Sequence, residues 1–189
     1  MSSLKRIHIY GHVSARPQAI ANLFGAQLAT EIVAESDLAI FAINPAAGID
    51  QKTIDQWQAL TDFQLPRLVV VNELDGSDAD FEDAIMLANR VFDQLVTPYL
   101  VLHSETGNPI ALISLTDLQI IDYSTEPATT SSSEAEHQEL VAEFREEYLE
   151  EIAGAGENAF AAGLLFPAIP IVISNGLGID VVKSFIAQL

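Results

Sequence analysis

At 189 residues the chain is long enough for one well-packed domain, or for a core domain with an insertion. Hydrophobic residues make up 49 % of it, which excludes a disordered chain, and the absence of cysteine excludes disulfides, iron–sulfur clusters and thiol catalysis. Its 27 acidic residues against 8 basic ones give a formal charge of -19, a field that repels nucleic acid and free nucleotides and attracts basic protein surfaces.

The opening stretch, MSSLKRIHIYGHV, holds too short an apolar run for a signal peptide. Within it, residues 5–10 alternate and stop at Gly11, as a strand does. From Pro17 the pattern turns helical, with Ile20, Leu23, Phe24 and Leu28 on one face, and a second helical piece is predicted through ATEIVAE, residues 29–35. DLAIFAIN is a continuous apolar run of the kind that strands buried on both faces carry. The rhythm then repeats: Asp50 is placed to cap a helix bearing Ile54, Trp57, Leu60 and Phe63, and RLVVVNELD is another buried strand. Phe81, Ile85, Ala88, Phe92 and Leu95 recur at three- and four-residue spacing, the mark of an amphipathic helix.

A different rhythm follows. TPYLVLHSETGNPIALISLTDLQIIDYS contains three short apolar runs and predicts an antiparallel meander, and TEPATTSSSEAEH reads as a mobile polar linker. It leads into a helix over residues 136–152 with Val141, Phe144, Tyr148 and Ile152 as an apolar stripe. The opposite face carries Glu139, Glu143, Glu146, Glu147, Glu150 and Glu151. The longest uncharged run, NAFAAGLLFPAIPIVISNG, is broken by Gly163, Pro167 and Pro170, so it reads as a helix end, a turn and a buried strand rather than a membrane span. The tail closes with strand, glycine turn and helix. Strands alternating with helices predict an α/β fold, a parallel sheet with helices on both faces. Residues 97–165 are read as an inserted α+β subdomain in a core made of 1–96 and 166–189.

The order of these pieces resembles the GTPase domain of translation elongation factor G. GHV after the first strand resembles that family's phosphate loop. SDLAIFAINPAAGIDQKTIDQWQALTDFQLPRLVVVNELDGSDADFEDAI resembles its strand, glycine turn, tryptophan helix, P-R, strand and N-K-x-D motif. GNPIALISLTDLQIIDYS looks like its characteristic subdomain, and ISNGLGIDVVKSFIAQL like its closing strand, serine loop and helix. The resemblance implies a P-loop-GTPase-like core with a reduced strand number. Residues 29–36 alone stand where the family holds switch one, two strands and the D-x-x-G motif.

The site residues depart from the family in ways that matter chemically. A working phosphate loop needs encircling amides, a lysine for the phosphate charge and a hydroxyl for magnesium. Aligned on Gly11, the lysine position is Pro17, the hydroxyl position is Gln18, and Arg16 replaces the second glycine. In the base-reading motif Asn72 and Asp75 match and Glu73 reverses a charge, while Ser174 matches the serine loop. Gly11, Asn72, Asp75 and Ser174 are therefore the nucleotide-site candidates, expected as vestiges, with no catalytic residue and no cofactor. The alternative is a guanine-nucleotide binder that holds GDP or GTP weakly through Asn72, Asp75 and Ser174. An unrelated small α/β enzyme is the third reading.

Metal sites are not expected. Asp75, Asp78, Asp80, Glu82 and Asp83 miss EF-hand spacing and suit a helix start, and His8, His12, His103 and His137 lack ligand spacing. No Gly-x-Ser-x-Gly elbow is present. The glutamate-faced helix, with Arg145 its one strong base, predicts a basic protein partner, and the resemblance implies the ribosomal stalk and the translation machinery. Direct nucleic-acid or membrane binding is not expected, and the cytoplasm is the expected compartment. In the family a further strand flanks strand one. Its loss predicts an open edge at Ile7–Tyr10, covered by the N-terminus, by residues 29–35, or by the same strand of a second subunit in a homodimer.

Overall fold

The apolar runs become the strands of a parallel sheet. In the computed structural model, which describes residues 3–76 and 80–189, the first half of the chain forms β1 (Ile7–Tyr10), α1 (Pro17–Phe24), β2 (Gln27–Leu28), β3 (Leu38–Ile43), α2 (Gln51–Thr61), β4 (Arg67–Val71), α3 (Phe81–Val91) and β5 (Leu95–Val96). The second half forms β6 (Tyr99–His103), β7 (Pro109–Ser114), β8 (Gln119–Asp122), β9 (Thr129–Ser132), α4 (Ala135–Leu140), α5 (Ala142–Ala155), β10 (Phe166–Pro170) and α6 (Ile179–Ile186). The parallel sheet has the order β2-β1-β3-β4-β10-β5, with four longer strands and a two-residue strand on each edge. A second, antiparallel sheet has the order β6-β7-β8-β9 and lies in sequence between β5 and β10. The α/β class, the parallel sheet flanked by helices and the meander are as read from sequence. Among the described residues no helix is long and apolar enough to cross a membrane.

Every residue of β3 and β4 is buried, which is why both read as unbroken apolar runs. One residue in them is not apolar. Arg67 opens β4 at 2 % exposure, its guanidinium 4.2 Å from the Trp57 ring centroid and 4.4 Å from that of Phe166. It donates to the Trp57 carbonyl at 3.0 Å and the Thr61 hydroxyl at 3.2 Å, and its Nη2 lies 3.5 Å from an Asp93 carboxylate oxygen. The Trp57 indole N–H donates to the same carboxylate oxygen at 2.8 Å. Around this clamp the aromatics stack: Trp57 on Phe92, and Phe41 on its cross-strand neighbour Tyr10. One cation thus joins α2, β4, β10 and the segment after α3.

Several expectations are corrected. Residues 29–35 form no helix, because the groups of this segment find partners outside it. The Ala29 N–H donates to the Ile9 carbonyl, the Val33 N–H to the Tyr10 hydroxyl, and the Gln56 amide to the Thr30 carbonyl. Leu28 is not on α1 but in β2, which pairs with β1 at His8 and Ile9, so β1 is flanked on both sides and is not the open edge expected. Phe63 lies beyond α2 at 52 % exposure, and Leu95 belongs to β5. Asp50 makes no side-chain cap to the backbone of α2; its carboxylate accepts from the Thr53 hydroxyl instead. The linker 125–137 contains β9, paired with β8 from Asp122↔Thr129 to Gln119↔Ser132. The helix over 136–152 is two helices, broken where the buried Val141 takes φ -102° and ψ 3°.

Arg67→Ala should lower stability by about 3 kcal/mol, because it opens a cavity between two rings and removes a buried cation's hydrogen bonds. Urea unfolding followed through Trp57, the chain's single tryptophan, measures it; a loss below about 1 kcal/mol would contradict the clamp.

Candidate functional site

In an open parallel sheet the ligand crevice lies outside the carboxyl ends of the strands, where the chain reverses its direction of travel across the sheet. Here that point is β1, since the chain passes from β1 to β2 on one side and then to β3 on the other. Gly11 follows β1, Asn72 and Asp75 follow β4, and Ser174 follows β10, so the fold brings all four sequence candidates to this one end.

The loop after β1 is closed upon itself. Residues Val13–Ala15 make a single 3₁₀ turn. The Ser14 N–H donates to the His12 ring Nδ1 at 3.2 Å, the Ala15 N–H to the His12 carbonyl at 3.0 Å, and the Arg16 N–H to the Val13 carbonyl at 3.0 Å. Pro17 opens α1 and has no N–H. Four consecutive positions therefore point no unbonded amide at the crevice. Arg16 adopts a left-handed backbone, φ 55°, and its guanidinium donates to Glu73 at 3.3 Å.

The loop carbonyls face the strand ends. Asn72, 2 % exposed, donates its side-chain amide to the Ala15 carbonyl at 3.0 Å. Asn44, which ends the preceding strand, donates to the Ser14 carbonyl at 3.0 Å. The sequence reading did not single out Asn44. Its signal is that both buried runs, AIFAIN and LVVVN, end on asparagine. Asp75 is exposed and accepts the Ser174 hydroxyl at 3.0 Å. Gly11 has φ +149°, and a Cβ there would sit 2.5 Å from the Ala42 carbonyl oxygen, so the close approach of β1 and β3 requires glycine.

Beside the loop lies a hollow of about 420 Å³ bordered by Val13, Pro17, Leu28, Ala29, Lys52 and Gln56. A cleft of about 310 Å³ separates α3 from α5; Phe81, Ile85 and Leu100 lie at its apolar side, with Met86 61 % and Phe144 42 % exposed. Carboxylates border this cleft from both helices. Burial pushes Glu82 above the ordinary carboxylate range, with Asp80 and Asp83 adding and His103 opposing. Burial and then Glu147 push Glu151 up, against a Gln94 hydrogen bond. Arg145 turns away from the glutamates of α5 and donates to the Thr116 carbonyl at 3.2 Å. Of the acidic run before α3, Asp80 caps the helix by accepting the Asp83 N–H at 2.9 Å, and Asp78 lies outside the described residues.

No family model matches the chain. Over 167 residues it is 28 % identical to an elongation factor G-like protein of Mycobacterium tuberculosis, covering 76 % of this chain and 23 % of that protein. It is 27 % identical over 85 residues to elongation factor G of Gluconobacter oxydans, covering 45 % of this chain and 12 % of that protein. Its fold is similar, with a TM-score of 0.71 at 21 % identity, to a Thermus thermophilus protein of known crystal structure, over 82 % of this chain and 26 % of that one. The chain thus spans about a quarter of the first relative's length. These findings bear out the resemblance to elongation factor G that the sequence motifs carry.

Two measurements follow from the geometry. Asn72→Ala should cost about 1–2 kcal/mol of stability, since it leaves a loop carbonyl unpaired in the interior, whereas Asp75→Ala and Ser174→Ala should each stay within about 0.5 kcal/mol. Equal costs at all three would contradict the assignment. For Glu151 the raised folded value means its contribution to stability is present below the ordinary carboxylate range and lost as pH rises through the folded value. Glu151→Gln should therefore stabilise the protein at pH 7, by about 0.3–0.5 kcal/mol for the relieved contact with Glu147, and lose that advantage at pH 3. Thermal unfolding at the two pH values reads the difference.

Proposed function

We propose that this relative of elongation factor G-like proteins serves translation as a GTPase-shaped, non-hydrolysing module that acts by binding protein. The observation that carries the reading is the closed first loop. Its amides at Ser14, Ala15 and Arg16 are bonded inside the loop, Pro17 has none, and Glu73 occupies the Arg16 guanidinium. Phosphoryl transfer rests almost wholly on donors and cations placed around the phosphates. At the positions where the family presents a lysine and a hydroxyl this chain presents Pro17 and Gln18. On this reading Gly11, Asn72, Asp75 and Ser174 are inherited positions that now hold the loops together, and the protein needs no cofactor.

The partner class follows from charge. With a formal charge of -19 and Arg145 directed into the neighbouring sheet, the carboxylates of α5 stand without internal counter-ions on that helix. A basic protein of the translation machinery is the partner we assign, docking over the α3–α5 cleft in the cytoplasm, with Met86 and Phe144 as apolar anchors between the carboxylates. Neither direct nucleic-acid contact nor membrane binding belongs to this reading.

A second reading has one observation in its favour, the convergence of Asn72, Asp75 and Ser174 at one crevice. Guanine binding there would have to replace the Asn72–Ala15 and Ser174–Asp75 hydrogen bonds. Calorimetry with GDP and GTP, with and without magnesium, separates the two readings: silence is expected, and micromolar affinity would favour the nucleotide binder. Co-sedimentation with ribosomes should be lost between low and high salt; its absence at low salt would count against the translation partner.

A further inference from the structure

We infer that the open edge of β9 is a strand-addition site for an extended, basic segment of a partner protein, on a surface separate from the α3–α5 cleft. β9 closes the antiparallel sheet, pairs on one side with β8, and has no strand on its other side among the described residues. Alternate residues of an edge strand direct their N–H and C=O groups outward, where they are a template for another chain.

Proteins ordinarily blunt such edges with short strands, bulges, prolines or charged side chains. The other edges of this molecule are blunted: β2 and β5 have two residues each, and the register of β6 shifts between Leu102 and His103. β9, at four residues, is twice as long as β2 or β5 and carries no bulge, proline or charged side chain. Its four residues are all exposed, its register with β8 is unbroken, and Ala128 to Ser133 contains neither charge nor proline. Exposed carboxylic residues flank the strand in sequence, Glu126 before it and Glu134 and Glu136 after it, while Asp122 of β8 lies opposite Thr129.

That arrangement selects the occupant. A second copy would bring its own charge of -19 and set like carboxylates against each other at both ends. A strand with lysine or arginine at its two ends and neutral residues between them meets the same edge with backbone hydrogen bonds along its middle and opposite charge at its flanks.

The test uses the full chain and a capped peptide, Lys-Lys-Thr-Val-Thr-Val-Lys-Lys, beside a twin with alternate amides N-methylated and a twin with glutamine for lysine. Amide exchange read residue by residue should slow at least tenfold within Thr129–Ser132 on adding the parent peptide. The N-methylated twin should give no slowing, and the glutamine twin should bind at least tenfold more weakly. Equal binding of the N-methylated twin would reduce the contact to charge alone and overturn the proposal, as would protection confined to the α3–α5 cleft. Slowing at β9 that grows with chain concentration in the absence of peptide would assign the edge to a second copy and overturn it as well. None of these readouts depends on the ribosome partner, so either reading can fail without the other.

Discussion

The constraint on which the crevice depends is the orientation of two peptide carbonyls. Asn44 and Asn72, at the ends of adjacent buried strands, hold the carbonyls of Ser14 and Ala15 toward the sheet. With its carbonyls fixed there, the turn resolves its amides locally, on the His12 ring and on the carbonyls one turn back. Each such bond contributes only about 1 kcal/mol net, but an unmet partner in the interior costs more. The loop is therefore held in one conformation by many small terms that agree with one another. Gly11 belongs to the same constraint, since only a residue without a side chain lets β1 run this close to the Ala42 carbonyl.

The scarce cations show a parallel logic. Arg67 is buried between Trp57 and Phe166, Arg6 faces Glu35 and Asp37, Arg16 meets Glu73, and Arg145 reaches a backbone carbonyl. These arginines act as internal ties between segments. Arg145, the one strong base on α5, donates to the Thr116 carbonyl and makes no ion pair with the glutamates of α5 among the described residues, and the field of so negative a chain extends outward. A surface of this sign is what the basic partner proposed above would meet.

Much of this was legible in the sequence, and the parts that were not share a cause. Long apolar runs such as LAIFAI announce buried strands because every residue in them is covered. β2 has two residues and leaves no period to read, and β9 is made of threonine and serine, which also compose linkers. ATEIVAE has helical spacing, yet Tyr10, Gln56 and the Ile9 carbonyl satisfy its backbone from other elements, and tertiary hydrogen bonds prevail over local propensity. At the site, the four candidates were found from their motifs, but motifs say which residues are present and not where their hydrogen bonds go. The role of Asn44 became visible only when the loop carbonyls could be traced.

Hydrogen exchange at the amides of Ser14, Ala15 and Arg16, followed by NMR in the free protein and again with millimolar GTP and magnesium, tests the closed loop most directly. Slow exchange that nucleotide leaves unchanged is the result this account requires. Fast exchange in the free protein, or amide resonances that move on adding GTP, would mean that the loop donates to phosphate and would contradict it.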